Sequence, residues 1–271
     1  MTLLLLVLVG AAAGVLVGLV GIGGGVLYGP ILLVALGAAG IDDPLLTPMT
    51  AGTSLLCVLL GSLSSAWAHW QRGAVDLRIA GMVGAFAAVP IVLTTVFVST
   101  QPWYDSRAFG AVLGTVLAIV VVRLLLKRSA PDAPEGPPIR TPGRLAATGV
   151  GAGVLAALAG VGGGVVLVPA LSGLIRLPFK QATATSSAAI VPIALAGVAV
   201  YIATGLGADV PAGALGYVDV PRALALAVPT VVTARWGVSL ANRVDVQTVR
   251  LVFAVIAAFV SARLLWHAAG L

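Results

Sequence analysis

Charge is what this chain has least of. Lys, Arg, Asp and Glu make up 9% of its 271 residues, against about 25% in a soluble domain. It has one cysteine and two histidines. Cys57 alone cannot form an internal disulfide, and so few soft ligands leave no Cys/His metal site. No Asp or Glu lies centrally in an apolar stretch, and no Ser–His spacing stands out. The nucleophile–base pair or paired carboxylates of an intramembrane enzyme are therefore missing, and the chain does not read as an enzyme. The net charge of +6 forms no basic stripe with interleaved aromatics, which excludes a nucleic-acid surface. No lysine follows the glycine-rich stretches to make a phosphate loop, and no strand–turn–helix unit surrounds them to make a dinucleotide site.

What the chain does have is hydrocarbon and glycine. It is 60% hydrophobic and holds 34 glycines, the composition of a polytopic all-α membrane protein whose helices pack through small residues. Ten apolar segments can be marked, at about 2–21, 26–40, 50–69, 77–98, 107–126, 144–161, 165–177, 183–204, 220–241 and 247–268. Most approach the roughly 20 residues needed to span a bilayer. The second and seventh, with 15 and 13 residues, fall short. Each is either helped across by its flanks or is the returning arm of a re-entrant hairpin, so the count is eight full spans plus two partial ones, or ten. The N-terminal stretch reads as the first membrane segment, because it lacks the basic region of a cleaved leader.

The sequence also repeats itself. GLVGIGGGVLYGP at 18–30 returns as ALAGVGGGVVLVP at 157–169, with 7 of 13 positions identical. AGTS (51–54) aligns with ATSS (184–187), and GAVD (73–76) with GYVD (216–219). The division is a first repeat at 1–126, a polar linker with five prolines at 127–143, and a second repeat at 144–271. Five segments per unit is an odd number, which inverts the second unit relative to the first. With the linker placed in the cytoplasm, 12 of 15 Lys and Arg residues fall on or near the cytoplasmic side. Both termini are then extracytoplasmic, in a multi-pass protein of the cell membrane.

The glycine hairpin ending in Pro30, with AGTSLLCVLLGSLSSAWAHWQRGAVDLRIA (51–80), resembles the first half of the TauE/SafE family, also called the sulfite exporter or TSUP family. GVGGGVVLVPA, ATATSSA (182–188) and GVSLANRVDVQTVRLVFA (237–254) resemble its second half. The resemblance implies a duplicated membrane carrier of small sulfur-containing or carboxylate anions, such as sulfite or a sulfoacetate-like sulfonate, working in export by alternating access. An anion channel or an uptake carrier is the alternative. A coupling ion, H+ or Na+, accompanies such a carrier, no cofactor is expected, and a homodimer stays open.

A glycine triplet in an apolar helix frees backbone N–H groups, and helix N-termini attract anions. Gly23, Gly24 and Gly25, with Gly162, Gly163 and Gly164, are thus candidate oxyanion cradles. Nearby hydroxyls, Thr53 and Ser54 in one repeat and Thr185, Ser186 and Ser187 in the other, either donate to the anion or bond helix carbonyls. Arg235 either attracts the anion or snorkels beside Trp236. His69 is a weaker candidate for proton coupling. Gly14 and Gly18 read as close-packing positions, and Asp76 and Asp219 as caps of the helices that follow them.

Overall fold

The computed structural model describes residues 3–20, 25–126, 138–241 and 246–269. Among them run α1 (Leu3–Val20), α2 (Gly25–Gly37), α3 (Asp43–Gln71), α4 (Leu77–Thr94), α5 (Ser106–Leu126), α6 (Pro142–Ala159), α7 (Gly164–Gly173), α8 (Phe179–Thr204), α9 (Val220–Ala241) and α10 (Val246–Ala268). The α4 helix ends in a π-helical turn, Thr95–Ser99. A two-residue hairpin, β1 (Ala214–Leu215) with β2 (Val218–Asp219), precedes α9. The ten helices fall on the ten apolar segments. The α3 helix begins seven residues earlier than expected, because Pro44 sits in its first turn, where a missing N–H costs nothing.

The packing has the symmetry of the repeat. The α1 helix packs on α9 as α6 packs on α4, α2 on α3 as α7 on α8, and α4 on α8 as α9 on α3. The pairs α3–α8 and α5–α10 are their own counterparts. Exchanging the first five helices for the second five leaves this set of contacts unchanged. Two pairs of small residues make the equivalent contacts. A Cβ on Gly10 would lie 2.4 Å from the Leu226 carbonyl oxygen and one on Gly14 2.4 Å from that of Thr230. On the other side, Cβ atoms on Gly149 and Gly153 would lie 2.6 Å from the carbonyl oxygens of Val83 and Ala87. The backbones touch, which is how helices associate where lipid is as apolar as leucine. Gly14 is thus a packing glycine, as read from its spacing. Thr230 and Thr233 add hydrogen bonds from α9 to the Gly10 and Ala11 carbonyls at 2.8 Å each.

The α3 and α8 helices cross antiparallel at the centre. Gly52 lies against Tyr201 and Leu55 against Gly197, while Ser65 donates to Ser187 at 3.2 Å near the other end. The α6–α7 pair is a re-entrant hairpin. The Arg144 guanidinium at the start of α6 donates to the Leu174 carbonyl just past α7 at 2.7 Å, and Ile139 N–H donates to Ile175 at 2.8 Å. The chain therefore goes in and returns to the side the linker is on. The ten residues of α7 rise only about 15 Å, half a bilayer core. The seventh segment is thus the short return arm of a hairpin whose first arm, α6, has 18 residues. The corresponding turn of the first repeat lies outside the described residues.

The glycine contacts predict an asymmetry between neighbouring substitutions. Gly153→Val is expected to lower the melting temperature of the detergent-solubilised protein, with a loss of about 1–3 kcal/mol from overpacking. Gly81→Ala, at a position with nothing within 4 Å, is expected to leave it unchanged or slightly raise it.

Candidate functional site

The second glycine triplet forms the tip of the α6–α7 hairpin. Gly160 ends α6 in the left-handed region at φ 64°, and Gly162 and Gly163 follow at 68° and 75°. Side chains at these positions are excluded twice over: by the backbone angle and by close neighbours. A Cβ on Gly160 would sit 2.9 Å from the Ala51 Cα in α3, on Gly162 2.4 Å from Val58 Cγ1, and on Gly163 2.8 Å from Ala152 Cβ. The tip is wedged between α3, α8 and its own first arm.

Breaking a helix inside the membrane exposes carbonyls on one side of the break and N–H groups on the other. The carbonyl side is satisfied by hydroxyls borne on other elements. Ala157 accepts from Tyr201 at 2.7 Å and Ser99 at 3.1 Å. Leu158 accepts from Tyr104 at 3.1 Å, and Gly160 from Ser54 at 2.7 Å. Burial, with Tyr201 close by, raises the pKa of the Tyr104 phenol above its ordinary value, so it remains a donor. The π turn contributes by placing Thr95 and Ser99, both buried, against this helix end. A π turn in a longer helix often marks such a site.

The N–H side has no such supply. None of the backbone N–H groups of Val161, Gly162 and Gly163 donates to another described residue, whereas Val166 and Leu167 bond the Gly163 carbonyl. Val161, Gly162 and Gly163 are buried. Buried N–H groups without partners are rare, and each costs about 1–3 kcal/mol. A run of them at the start of a helix, where the dipole adds positive potential, is suited to an oxyanion.

The hydroxyl candidates separate into two groups about 20 Å apart, by the rise along α3 and α8. Thr53 accepts from the backbone N–H of Asp219 at 2.9 Å, and Thr185 from that of Asp76 at 3.1 Å. Each repeat's GxVD loop is thus clamped by the other repeat's central helix. The equivalence pairs Thr53 with Thr185 and Ser54 with Ser186, one residue off the sequence alignment, which had matched Thr53 with Ser186. The reason is that ATSS and AGTS share small residues in both registers and only the clamp tells them apart. Both carboxylates cap the following helix, Asp76 accepting from Ile79 N–H at 3.1 Å and Asp219 from Arg222 N–H at 3.0 Å. Asp76 also pairs with Arg140 at 2.8 Å and Asp219 with Arg222.

The structure does not gather every candidate at one place. Ser54 touches the glycine tip; Ser187 meets Ser65; Ser186 is buried with no partner among the described residues. Arg235 is exposed on α9 beside the exposed Trp236 and is not a neighbour of the tip. That is the snorkelling position. His69 is half buried two residues from the end of α3, with no carboxylate partner among the described residues. Gly23 and Gly24 lie outside the described residues, and Gly25 opens α2. The reading from sequence missed Tyr201, Tyr104 and Ser99. A tyrosine in place of phenylalanine in the apolar run AVAVYIAT was the available signal, since a buried phenol needs a partner.

A profile of the sulfite exporter TauE/SafE family matches residues 6–264. The chain belongs to this family. Among similar proteins, a probable membrane transporter protein of Haemophilus influenzae is 27% identical over 93% of this chain and 94% of its own length. One of Methanocaldococcus jannaschii is 27% identical over 91% and 89%. YunE of Bacillus subtilis, also a probable membrane transporter protein, is 24% identical over 98% of both. As a TauE/SafE protein the chain is a multi-pass membrane protein of transporter type, in keeping with the four helices among the described residues that are long and apolar enough to cross.

The paired clamps make a measurable statement about stability. Thr53→Val and Thr185→Val, nearly isosteric, each leave a backbone N–H unpaired and are expected to cost about 1 kcal/mol. At a separation of about 20 Å the double substitution should be additive within about 0.5 kcal/mol, read by thermal melting in detergent.

Proposed function

We propose that this TauE/SafE protein is a secondary transporter that carries a small sulfur-containing oxyanion or organosulfonate, sulfite or a sulfoacetate-like compound, outward by alternating access between its inverted repeats. The observation that supports it is the run of buried N–H groups at Val161–Gly163, next to a helix end three of whose carbonyls are already taken. Such a cradle holds the oxygens of a sulfite or sulfonate through backbone donors, without a fixed positive charge that would bind too tightly to release. Thr53 and Thr185 accept from a backbone N–H yet keep their own proton, so each is a further donor near one end of the path.

The two clamps suit the alternation. Opening toward the Asp219 side requires the Thr53 contact to loosen, and opening toward the linker side requires the Thr185 contact to loosen. With both formed, the tip is closed to either side. Each clamp joins one repeat to the other, so a rocking of the repeats strains one while sparing the other.

Purified protein in vesicles is expected to move labelled sulfite or a short sulfonate faster than a similarly sized cation. Gly163→Val, which meets both a forbidden backbone angle and the Ala152 side chain, should cut the flux at least about tenfold while the protein still inserts. Gly24→Val tests the matching position. Normal flux in Gly163→Val would reduce the tip to packing. No flux and no thermal stabilisation across a broad anion panel would sink the carrier reading itself.

A further inference from the structure

We propose that the groove between α3, α4 and α8 on the linker side is a binding site for one anionic glycerophospholipid. The groove holds about 280 Å³ and is open to the surface. Its walls include Leu63, Trp67 and Trp70 of α3, Leu77 of α4, and Val191 and Pro192 of α8. These walls are almost entirely hydrocarbon. Yet Leu63, Trp67, Trp70 and Leu77 are 47%, 58%, 50% and 60% exposed. An apolar groove open at the surface of a membrane helix bundle is shaped for an acyl chain.

Its end is chemically different from its middle. Trp67 and Trp70 pack at 5.1 Å between ring centroids, tilted 49°, within the last turn and a half of α3. Tryptophans at a helix end stand at the level of lipid headgroups. Arg72 caps α3 immediately after this pair, and Arg78 is the second residue of α4. Both are exposed, and neither forms an ion pair among the described residues. The one carboxylate between them, Asp76, is already occupied by Arg140 and by its capping bond to Ile79. Two guanidiniums without an ion-pair partner among the described residues therefore adjoin the groove-lining Trp70 and Leu77 in the chain. That favours a phosphodiester with net negative charge. A zwitterionic headgroup would bring its own cation against the same arginines.

The site borders the Asp76 loop that Thr185 clamps, so a bound lipid would brace the linker-side clamp. This does not rest on the transport reading, because its test reads lipid binding and not flux. The full chain in neutral detergent is titrated with phosphatidylglycerol, with phosphatidylcholine of the same acyl chains, and with inorganic phosphate, following the melting temperature and, by native mass spectrometry, the lipid retained. Phosphatidylglycerol is expected to raise the melting temperature by several degrees and to be retained at one per chain, with a much smaller effect from phosphatidylcholine and none from phosphate. The double variant Arg72→Gln, Arg78→Gln, which leaves the groove intact, should bring the phosphatidylglycerol response down to that of phosphatidylcholine. Ala66→Trp, which fills the groove, should remove retention of both lipids without changing the lipid-free melting temperature. Equal responses to the two lipids, a full response in the double arginine variant, or a response to phosphate alone would each overturn the proposal. So would a detergent-stable dimer that Ala66→Trp dissociates whatever lipid is present, since the groove would then be covered by a second copy.

Discussion

Everything in this fold answers to one constraint: a backbone polar group inside a bilayer must find a partner within the protein. Straight helices meet it by themselves. The α6–α7 hairpin does not, because Gly160–Gly163 interrupt the ladder in the interior. The protein answers only half of the resulting demand. Four hydroxyls, from Ser54, Ser99, Tyr104 and Tyr201, reach three carbonyls on the α6 side of the break. No side chain among the described residues serves the N–H groups on the α7 side. The imbalance has a sign. A helix end with three carbonyls taken, followed by N–H groups without a partner among the described residues, favours negative charge, by omission on one side as much as by provision on the other.

The same constraint explains why the repeats are interlocked and not merely adjacent. The α1 helix packs on α9 and α6 on α4, so the first helix of each repeat leans on a helix of the opposite repeat. The loops do likewise, with Asp76 held by Thr185 and Asp219 held by Thr53. Neither repeat can satisfy its own GxVD loop. A movement of one repeat against the other therefore acts first on these two contacts, which lie at opposite ends of the α3–α8 crossing. The glycine contacts of α1–α9 and α4–α6 pack backbone on backbone, which suits them to move as rigid pairs about that crossing.

How much of this was legible in the sequence depends on the length scale. The ten helices, the linker and the packing role of Gly14 follow from apolar run lengths and glycine spacing, because the bilayer allows few other solutions. The capping roles of Asp76 and Asp219 follow from their place before an apolar run. The fate of the seventh segment was open, since thirteen apolar residues serve a short span or a return arm equally. What bears on it is the ten-residue length of α7, whose far end Arg144, thirty positions earlier, holds beside the start of α6. The register of Thr53 on Thr185 failed for a related reason: small residues tolerate a one-position slip in an alignment, while a hydrogen bond does not. The phenols of Tyr104 and Tyr201 were invisible because apolar segments commonly carry aromatics, and only the helix end they meet gives their hydroxyls a purpose.

The corrected register also sharpens the difference between the halves. If Thr53 corresponds to Thr185, then the position equivalent to Tyr201 in α8 is His69 in α3. One central helix thus offers a phenol hydroxyl and the other an imidazole ring at the corresponding position. The glycine run is asymmetric in the same sense, with Ala157 where the first repeat has Gly18, and Ala157 is the residue whose carbonyl takes two hydroxyls. A carrier built from two identical halves would hold its anion equally well facing either way. Unequal hydrogen-bonding groups at corresponding helix positions remove that degeneracy, while the helix contacts keep the symmetry of the repeat.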